Sequence, residues 1–300
     1  MRLDRPGLGI AMMLGFCIFA PLADAFAKIL GGSLAIGELV AWRFLAQTAL
    51  LMPFVFWVGQ SLWLPWRLMR IAVLRGALHV LGSFAMFLAL RYLPLAETVA
   101  IAYVMPFIAM LMGHYFLGET VGPRRVIAAG VGFVGTLMVV QPVFSDVGWL
   151  ALLPLLVAVV FSGFMLATRA ISHEVDPVRL QAISGLVSLA ICAPFLAIGA
   201  MFGIADLTVT GPGSEQVAVY LGFAALGTLA HLFIVWSLKY APAATVAPMQ
   251  YLEIPFATLI GLWLFDAFPN GLALIGIAVT MAAGVFVILI ERAAGRRRPA

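Results

Sequence analysis

Ten long apolar segments follow one another along the chain, separated by short polar connections. A helix needs about 20 mostly apolar residues to cross the hydrocarbon core of a bilayer. The chain therefore predicts an all-α membrane protein with ten transmembrane helices. The segments run over residues 7–28, 34–58, 71–90, 95–117, 124–143, 147–169, 178–202, 217–238, 243–265 and 270–291.

The composition supports the membrane assignment. Hydrophobic residues make up 64% of the chain and charged residues 10%, whereas soluble domains have about 45–50% and about 25%. A transmembrane β-barrel is excluded because its strands alternate over only about 10 residues. Cys17 and Cys192 both lie in apolar runs, which argues against a disulfide framework. The longest connection, residues 203–216, leaves no room for a domain outside the membrane.

The basic residues predict the orientation, because cytoplasmic loops of membrane proteins are enriched in Lys and Arg. With the N-terminus inside, the outward loops hold only Lys28 and Arg91, and the inward parts hold 13 of the 17 basic residues. We therefore expect a multi-pass protein of the bacterial inner membrane with both termini in the cytoplasm. The 13 are Arg2, Arg5, Arg67, Arg70, Arg124, Arg125, Arg169, Arg179, Lys239, Arg292, Arg296, Arg297 and Arg298.

The first segment has an alternative interpretation as a signal peptide. Arg2 and Arg5 precede an apolar run, and residues 25–27 (Ala-Phe-Ala) resemble a cleavage site. Cleavage there would leave nine helices, whereas the internal repeat needs ten.

The chain contains an internal repeat. Residues 89–96 (ALRYLPLA) match residues 237–244 (SLKYAPAA) at a displacement of 148, which also pairs Ser83 with His231 and Tyr103 with Tyr251. Nearer the start of the repeat, residues 53–54 match residues 194–195 at a displacement of 141. Five helices is an odd number, so the second copy crosses the membrane in the opposite direction. Inverted repeats of this kind are typical of secondary transporters, which alternate between two related conformations.

The repeat sets the predicted organisation. We expect a first five-helix repeat over residues 1–143, a second, inverted repeat over 144–291 and a basic cytoplasmic tail over 292–300. The two repeats should superpose after a half-turn about an axis in the membrane plane. The Ala/Gly/Thr-rich faces on the fifth and tenth segments predict close helix packing or a dimer surface. They comprise Ala128, Gly132, Gly276, Thr280 and Gly284.

The repeat motifs resemble the EamA-type domain of the drug/metabolite transporter superfamily. The first copy carries RYLPLAETVAIAYVMPFIAMLMGHYFLGE and the second KYAPAATVAPMQYLEIPFATLIGLWLFD, which ends in Asp266 where Gly-Glu is usual. The resemblance implies a central cavity lined mainly by helices 1, 3, 4, 6, 8 and 9. Members of the superfamily export amino acids, as YddG-type exporters do, or move S-adenosylmethionine, sugars and cationic compounds.

Glu253 and Gln250 are candidate substrate-binding residues on the ninth segment. An ionisable group inside a membrane is costly and is commonly functional. Glu253 either binds a cationic group, carries a coupling proton, or satisfies backbone groups freed by Pro248 and Pro255. Gln250 lies one turn earlier and could share either role.

Polar residues on the third segment form a stripe of helical period: Arg75, His79 and Ser83. We expect His79 and Ser83 to line the cavity, together with His231, and Arg75 to extend toward the cytoplasmic surface. Tyr103 and Tyr251 suit an amphipathic metabolite, and Ser162 is a further candidate. All of these also have interpretations as packing residues.

Three other charged positions have structural interpretations. Arg43 is expected to form an ion pair or hydrogen-bond cluster with Glu38 and Gln47. Asp24 and Lys28 lie four residues apart and are expected to pair with each other or to form an extracellular gate.

The sequence contains neither a nucleotide-binding glycine loop nor a Cys/His metal motif, so no cofactor or metal is predicted. Nucleic acid is not expected as a partner; the expected partners are a small-molecule substrate and the lipid bilayer, with a monomer or weak homodimer as the assembly. An intramembrane enzyme and a channel remain alternatives to a transporter. The favoured function is export of amino acids, including aromatic ones, and the runner-up is uptake of S-adenosylmethionine-like or cationic metabolites.

Overall fold

The computed structural model describes residues 5–118 and 123–295, in which helices are joined by short connections and no strand occurs. Arg2, the motif residue Glu119, and residues 296–300 of the predicted tail lie outside the described residues. The α-helices are α1 (Pro6–Gly31), α2 (Ile36–Trp57), α3 (Trp66–Tyr92), α4 (Leu95–Ala102), α5 (Met105–Leu117), α6 (Pro123–Val147), α7 (Leu153–Ile171), α8 (Pro177–Phe202), α9 (Val217–Tyr240), α10 (Ala243–Val246), α11 (Glu253–Phe265) and α12 (Gly271–Gly295).

The helices coincide with the ten predicted segments. Seven of the described helical stretches are long and apolar enough to cross a membrane, and three further stretches are shorter apolar helices. α1, the segment with the alternative signal-peptide interpretation, packs along α9 as part of the helical body.

Two segments predicted as continuous helices are interrupted. The fourth is divided into α4 and α5 at Tyr103 and Val104. The ninth contains α10, a 3₁₀ stretch over Ala247–Leu252 and then α11. Proline stands near both interruptions, at Pro106 and Pro248, and lacks the N–H that a continuous helix needs. The two breaks stand at matching places in the two repeats.

The packing of the helices follows the repeat. α1 packs on α9, and α7, which corresponds to α1, packs on α3, which corresponds to α9. α2 packs on its own counterpart α8, and α6 on its counterpart α12. Exchanging the two repeats therefore leaves the set of main contacts unchanged, as a two-fold relation between them requires.

α6 and α12 approach each other through glycine. A Cβ on Gly276 would lie 2.5 Å from the carbonyl oxygen of Gly135 and 3.0 Å from Cβ of Met138. Thr280 is fully buried in the same interface. The small residues predicted as a packing face thus pack within the chain, because only glycine allows the two backbones this close.

We expect Gly276→Leu to abolish most of the folded protein, since its side chain would meet backbone that cannot move aside. Gly130→Leu on α6 is the matched control, because a Cβ at Gly130 meets nothing within 4 Å. Thermal unfolding followed by size-exclusion chromatography in detergent measures both. Equal melting temperatures for the two variants would show that the close approach is unimportant.

Lys28 and Arg67 lie at opposite ends of the bundle and have different partners. At one end, Lys28 donates to the carbonyl oxygens of Leu90 and Leu93 at 2.6 and 2.7 Å. Lys28 therefore does not pair with Asp24, because the end of α3 supplies its acceptors. At the opposite end, Arg67 pairs with Glu174 at 2.5 Å.

The end that carries Arg67 is predicted to face the cytoplasm. A reporter enzyme that works only in the periplasm should therefore be inactive when fused after Ala300 and active when inserted after Gly211, in the long α8–α9 connection. Activity of the fusion after Ala300 would reverse the predicted orientation.

Candidate substrate cavity

A cavity of about 100 Å³, open on one side, lies in the centre of the bundle. α1, α3, α4, α7, α9 and α11 line it, as the family resemblance implied, and α2 adds Arg43. Five of the eight predicted substrate-binding residues reach it. These are His79, Ser83, Tyr103, His231 and Glu253.

Arg43 lies between two histidines at the cavity wall. Its guanidinium donates to Nε2 of His79 at 3.2 Å and to Nδ1 of His231 at 2.7 Å. The two imidazole rings stack on each other with centroids 4.4 Å apart. The arrangement holds one fixed cation, with its planar donor group oriented, against the cavity.

The predicted cluster of Arg43 with Glu38 and Gln47 is wrong. Glu38 instead accepts from the backbone N–H groups of Thr210 and Gly211 at 2.8 and 2.6 Å, which ties α2 to the α8–α9 connection. Gln47 exchanges hydrogen bonds with Gln181 of α8. Both side chains are therefore occupied by α8 and the connection that follows it.

Two carboxyl groups face the same cavity. Tyr103, at the break between α4 and α5, donates its hydroxyl hydrogen to Oε2 of Glu253, the first residue of α11. Asp24 lines the cavity from α1 and was missed as a site residue. Its position inside a spanning helix was the available signal, but its spacing to Lys28 suggested a surface pair. The cavity thus combines a guanidinium with two carboxyl groups.

Aromatic side chains form much of the remaining wall. Phe16 stacks on Phe161 with ring centroids 6.3 Å apart. Phe87 and Phe223 form an edge-to-face pair at 5.5 Å. Flat apolar surfaces beside a few oriented polar groups are typical of small-molecule sites. Among the described residues, no group of three or more His, Cys, Asp or Glu could hold a metal ion.

Ser162, Gln250 and Tyr251 were predicted to bind substrate but do not line this cavity. Ser162 donates to the carbonyl oxygen of Ala158 at 2.6 Å, one helical turn before it. The 3₁₀ stretch in the ninth segment turns the Tyr251 ring toward Tyr103, 5.6 Å away between centroids. Gln250 is fully buried in the same stretch. The break in the ninth segment, which sequence periodicity did not predict, decides the positions of Gln250 and Tyr251.

Arg75 is buried behind the cavity instead of extending to the surface. It donates to Thr168 and Gln181 at 2.7 Å each, and also to Ser184. Its guanidinium lies 4.3 Å from the centre of the Phe164 ring. The polar stripe on α3 therefore divides, with His79 and Ser83 in the cavity and Arg75 outside it.

The comparisons with known proteins place the chain in a family. A model of the EamA-like transporter family matches residues 7–141 and 148–290. A protein of Rhizobium johnstonii named riboflavin transporter is 31% identical over 228 residues, which are 76% of this chain and 71% of that protein. A protein of Rickettsia felis named S-adenosylmethionine uptake transporter is 23% identical over 290 residues, which are 97% of this chain and 95% of that protein. One crystal structure, with 21% identity, shares the fold at a TM-score of 0.69 over 97% of this chain and 99% of that one. The chain belongs to the EamA-like transporter family, and it is a multi-pass membrane transporter.

Proposed function

We propose that this protein is a secondary transporter of the inner membrane that carries flat heteroaromatic metabolites, riboflavin first, by alternating access. The observation that carries the proposal is a central cavity in which aromatic walls stand beside Arg43, Asp24 and Glu253. A planar ring system gains apolar contact from such walls. The polar groups then orient its edges.

Riboflavin has both the planar ring and the polar groups that such a cavity would bind. Its ring has carbonyl oxygens that can accept from the Arg43 guanidinium, and its ribityl chain has hydroxyls that can donate to carboxyl groups. The 31% identity to a protein named riboflavin transporter supports the same substrate class. S-Adenosylmethionine has a related shape, with an adenine ring, a carboxylate for Arg43 and two cationic groups for Asp24 and Glu253.

Export of amino acids is the second candidate. Arg43 and Asp24 line one cavity with opposite formal charges, which suits the carboxylate and ammonium of a zwitterion. Aromatic amino acids would add a ring for the Phe16 and Phe161 surface. An aromatic amino acid would contact only one of the two aromatic pairs, whereas a three-ring flavin is long enough to contact both pairs.

Counterflow in liposomes tests the substrate class. Liposomes with purified protein are loaded with unlabelled riboflavin, S-adenosylmethionine or phenylalanine, and uptake of the matching radiolabelled compound is followed. Saturable exchange of riboflavin or S-adenosylmethionine supports the proposal. Exchange of phenylalanine alone supports amino-acid transport and overturns it, as does flux that rises linearly without saturation.

A variant pair links the result to the cavity. Phe161→Ala removes one ring of the stacked pair, and we expect it to raise KM about five- to tenfold, the loss of roughly 1 kcal/mol of aromatic contact. Phe202→Ala is the control, because Phe202 is 74% exposed at the end of α8. An unchanged KM in Phe161→Ala would place the substrate elsewhere.

A further inference from the structure

The two repeats keep one residue register, so each position in one has a counterpart in the other. α5 and α11 have the same length and begin 148 residues apart. Lys28 donates to the carbonyl oxygen of Leu90 at 2.6 Å, and Arg169 donates to that of Leu238 at 2.8 Å. Lys28 and Arg169 are 141 residues apart, and Leu90 and Leu238 are 148 apart. The displacements found in the sequence therefore describe the structure.

The two members of a corresponding pair of residues do not always both line the cavity. Near its centre both members of a pair line it, as Ser83 and His231 do. Elsewhere only one member lines it, as for Arg43, Ala102, Tyr103 and Phe223. Their counterparts, in the same order, are Ser184, Gln250, Tyr251 and Arg75, all of which are buried. One half of a symmetric pathway is open, and the other half is packed shut.

The packed half contains polar atoms without partners. The side-chain oxygen and nitrogen of Gln250 and the hydroxyl of Tyr251 are buried and have no hydrogen-bond partner among the described residues. Leaving a buried polar group unsatisfied costs about 1–3 kcal/mol, so such groups are rare and need an explanation. The counterpart of Tyr251, Tyr103, has its hydroxyl bonded to Glu253 in the open cavity. The unsatisfied groups thus stand where the other repeat presents groups to the cavity.

The packed half also contains a buried cation. Arg75 is fully buried, and within the described ranges no Asp or Glu forms an ion pair with it. Its partners Thr168, Ser184 and Gln181 are neutral. A cation inside the membrane is costly, and hydroxyl and amide oxygens can be exchanged for those of a ligand. Phe164 separates Arg75 from His79, whose ring lies 4.7 Å from that of Phe164.

We infer that Arg75, Ser184, Gln250 and Tyr251 are the polar lining of a second half-cavity, closed here, which opens to the cytoplasm when the present cavity closes. It takes the same flat heteroaromatic metabolite, with Arg75 bound to its carbonyl or carboxylate oxygens and the Gln250 amide to its ring edge. This inference rests on the alternating access of the proposed function. It explains why Gln250 and Tyr251 carry polar groups that the open cavity does not use.

Cysteine accessibility tests the inference without a transport readout. In a parent with Cys17 and Cys192 replaced by serine, Gln250→Cys and Ser184→Cys report on the closed half, and Ala102→Cys reports on the open cavity. A membrane-impermeant maleimide is applied to right-side-out and to inside-out vesicles. Ala273→Cys is the buried control, since Ala273 is fully buried on α12. Labelling after denaturation in detergent checks that each cysteine is present.

We expect Ala102→Cys to react from the periplasmic face, and Gln250→Cys and Ser184→Cys to react from the cytoplasmic face at least tenfold faster than Ala273→Cys. If Gln250→Cys and Ser184→Cys both stay as unreactive as Ala273→Cys while the parent transports substrate, the inference is wrong and the proposed function stands. Reaction from the cytoplasmic face in a parent that transports none of the three test compounds supports the half-cavity and rejects the substrate class. Reaction from the periplasmic face alone overturns the inference.

Discussion

Arg43→Gln is expected to reduce transport about ten- to a hundredfold while the amount of folded protein stays the same. Hydrogen bonds to charged groups contribute about 1.5–3 kcal/mol, which corresponds to that factor in rate or affinity. Arg43 is the cation that α2 directs into the cavity, held between His79 and His231. Glutamine keeps part of the length and polarity but has neither the charge nor the fork of donors.

Two further variants separate charge from geometry. Arg43→Lys keeps the positive charge but has a single ammonium in place of a planar fork, so we expect it to recover only part of the loss. Arg67→Gln is the matched control, because Arg67 forms an exposed ion pair with Glu174 and such pairs contribute little. Initial rates of counterflow measure all three. Full activity of Arg43→Gln would remove Arg43 from the substrate site.

Glu253→Gln is expected to keep substrate binding and to lose the acceleration of transport by an imposed pH gradient. Glutamine has nearly the same shape and can still accept from the Tyr103 hydroxyl, but it cannot carry a proton across the membrane. Glu253 lines the cavity and begins α11 at the break in the ninth segment, so a proton on it would face the transport pathway.

Tyr103→Phe is the matched control for Glu253→Gln. It removes the hydrogen bond between the two interrupted segments and leaves the carboxyl group ionisable, so the response to the pH gradient should persist. Glu253→Ala should instead lower stability by about 1–3 kcal/mol, because it leaves the buried Tyr103 hydroxyl without its acceptor. Flux with and without the gradient, beside thermal unfolding, distinguishes these outcomes. A retained gradient response in Glu253→Gln would make Glu253 a structural residue.

Most of the helices could be predicted because their signal is local. Crossing a bilayer requires length and apolarity, and both are properties of one stretch of chain. The interruptions at Tyr103 and in the 3₁₀ stretch over Ala247–Leu252 were not predictable on that basis. Proline inside a membrane helix can bend it, break it or be accommodated, and the neighbouring helices decide which occurs.

The site was predicted unevenly for a related reason. Helical periodicity and the repeat singled out five residues that the structure places around one cavity, and their role in binding substrate stays a prediction. These are His79, Ser83, His231, Tyr103 and Glu253. The partners of long side chains were not predictable from spacing. Arg43 has polar neighbours within its own helix, yet it reaches histidines on α3 and α9.

The sequence by itself determined the solvent, the number of spanning segments and the five-helix repeat, because hydropathy and internal similarity are written along the chain. The tertiary structure decided which member of each corresponding pair of residues lines the cavity. Tyr103 and Tyr251 correspond in the repeat, yet Tyr103 lines the cavity and Tyr251 is buried away from it. The two repeats share a residue pattern, so the difference arises from how their helices pack against each other.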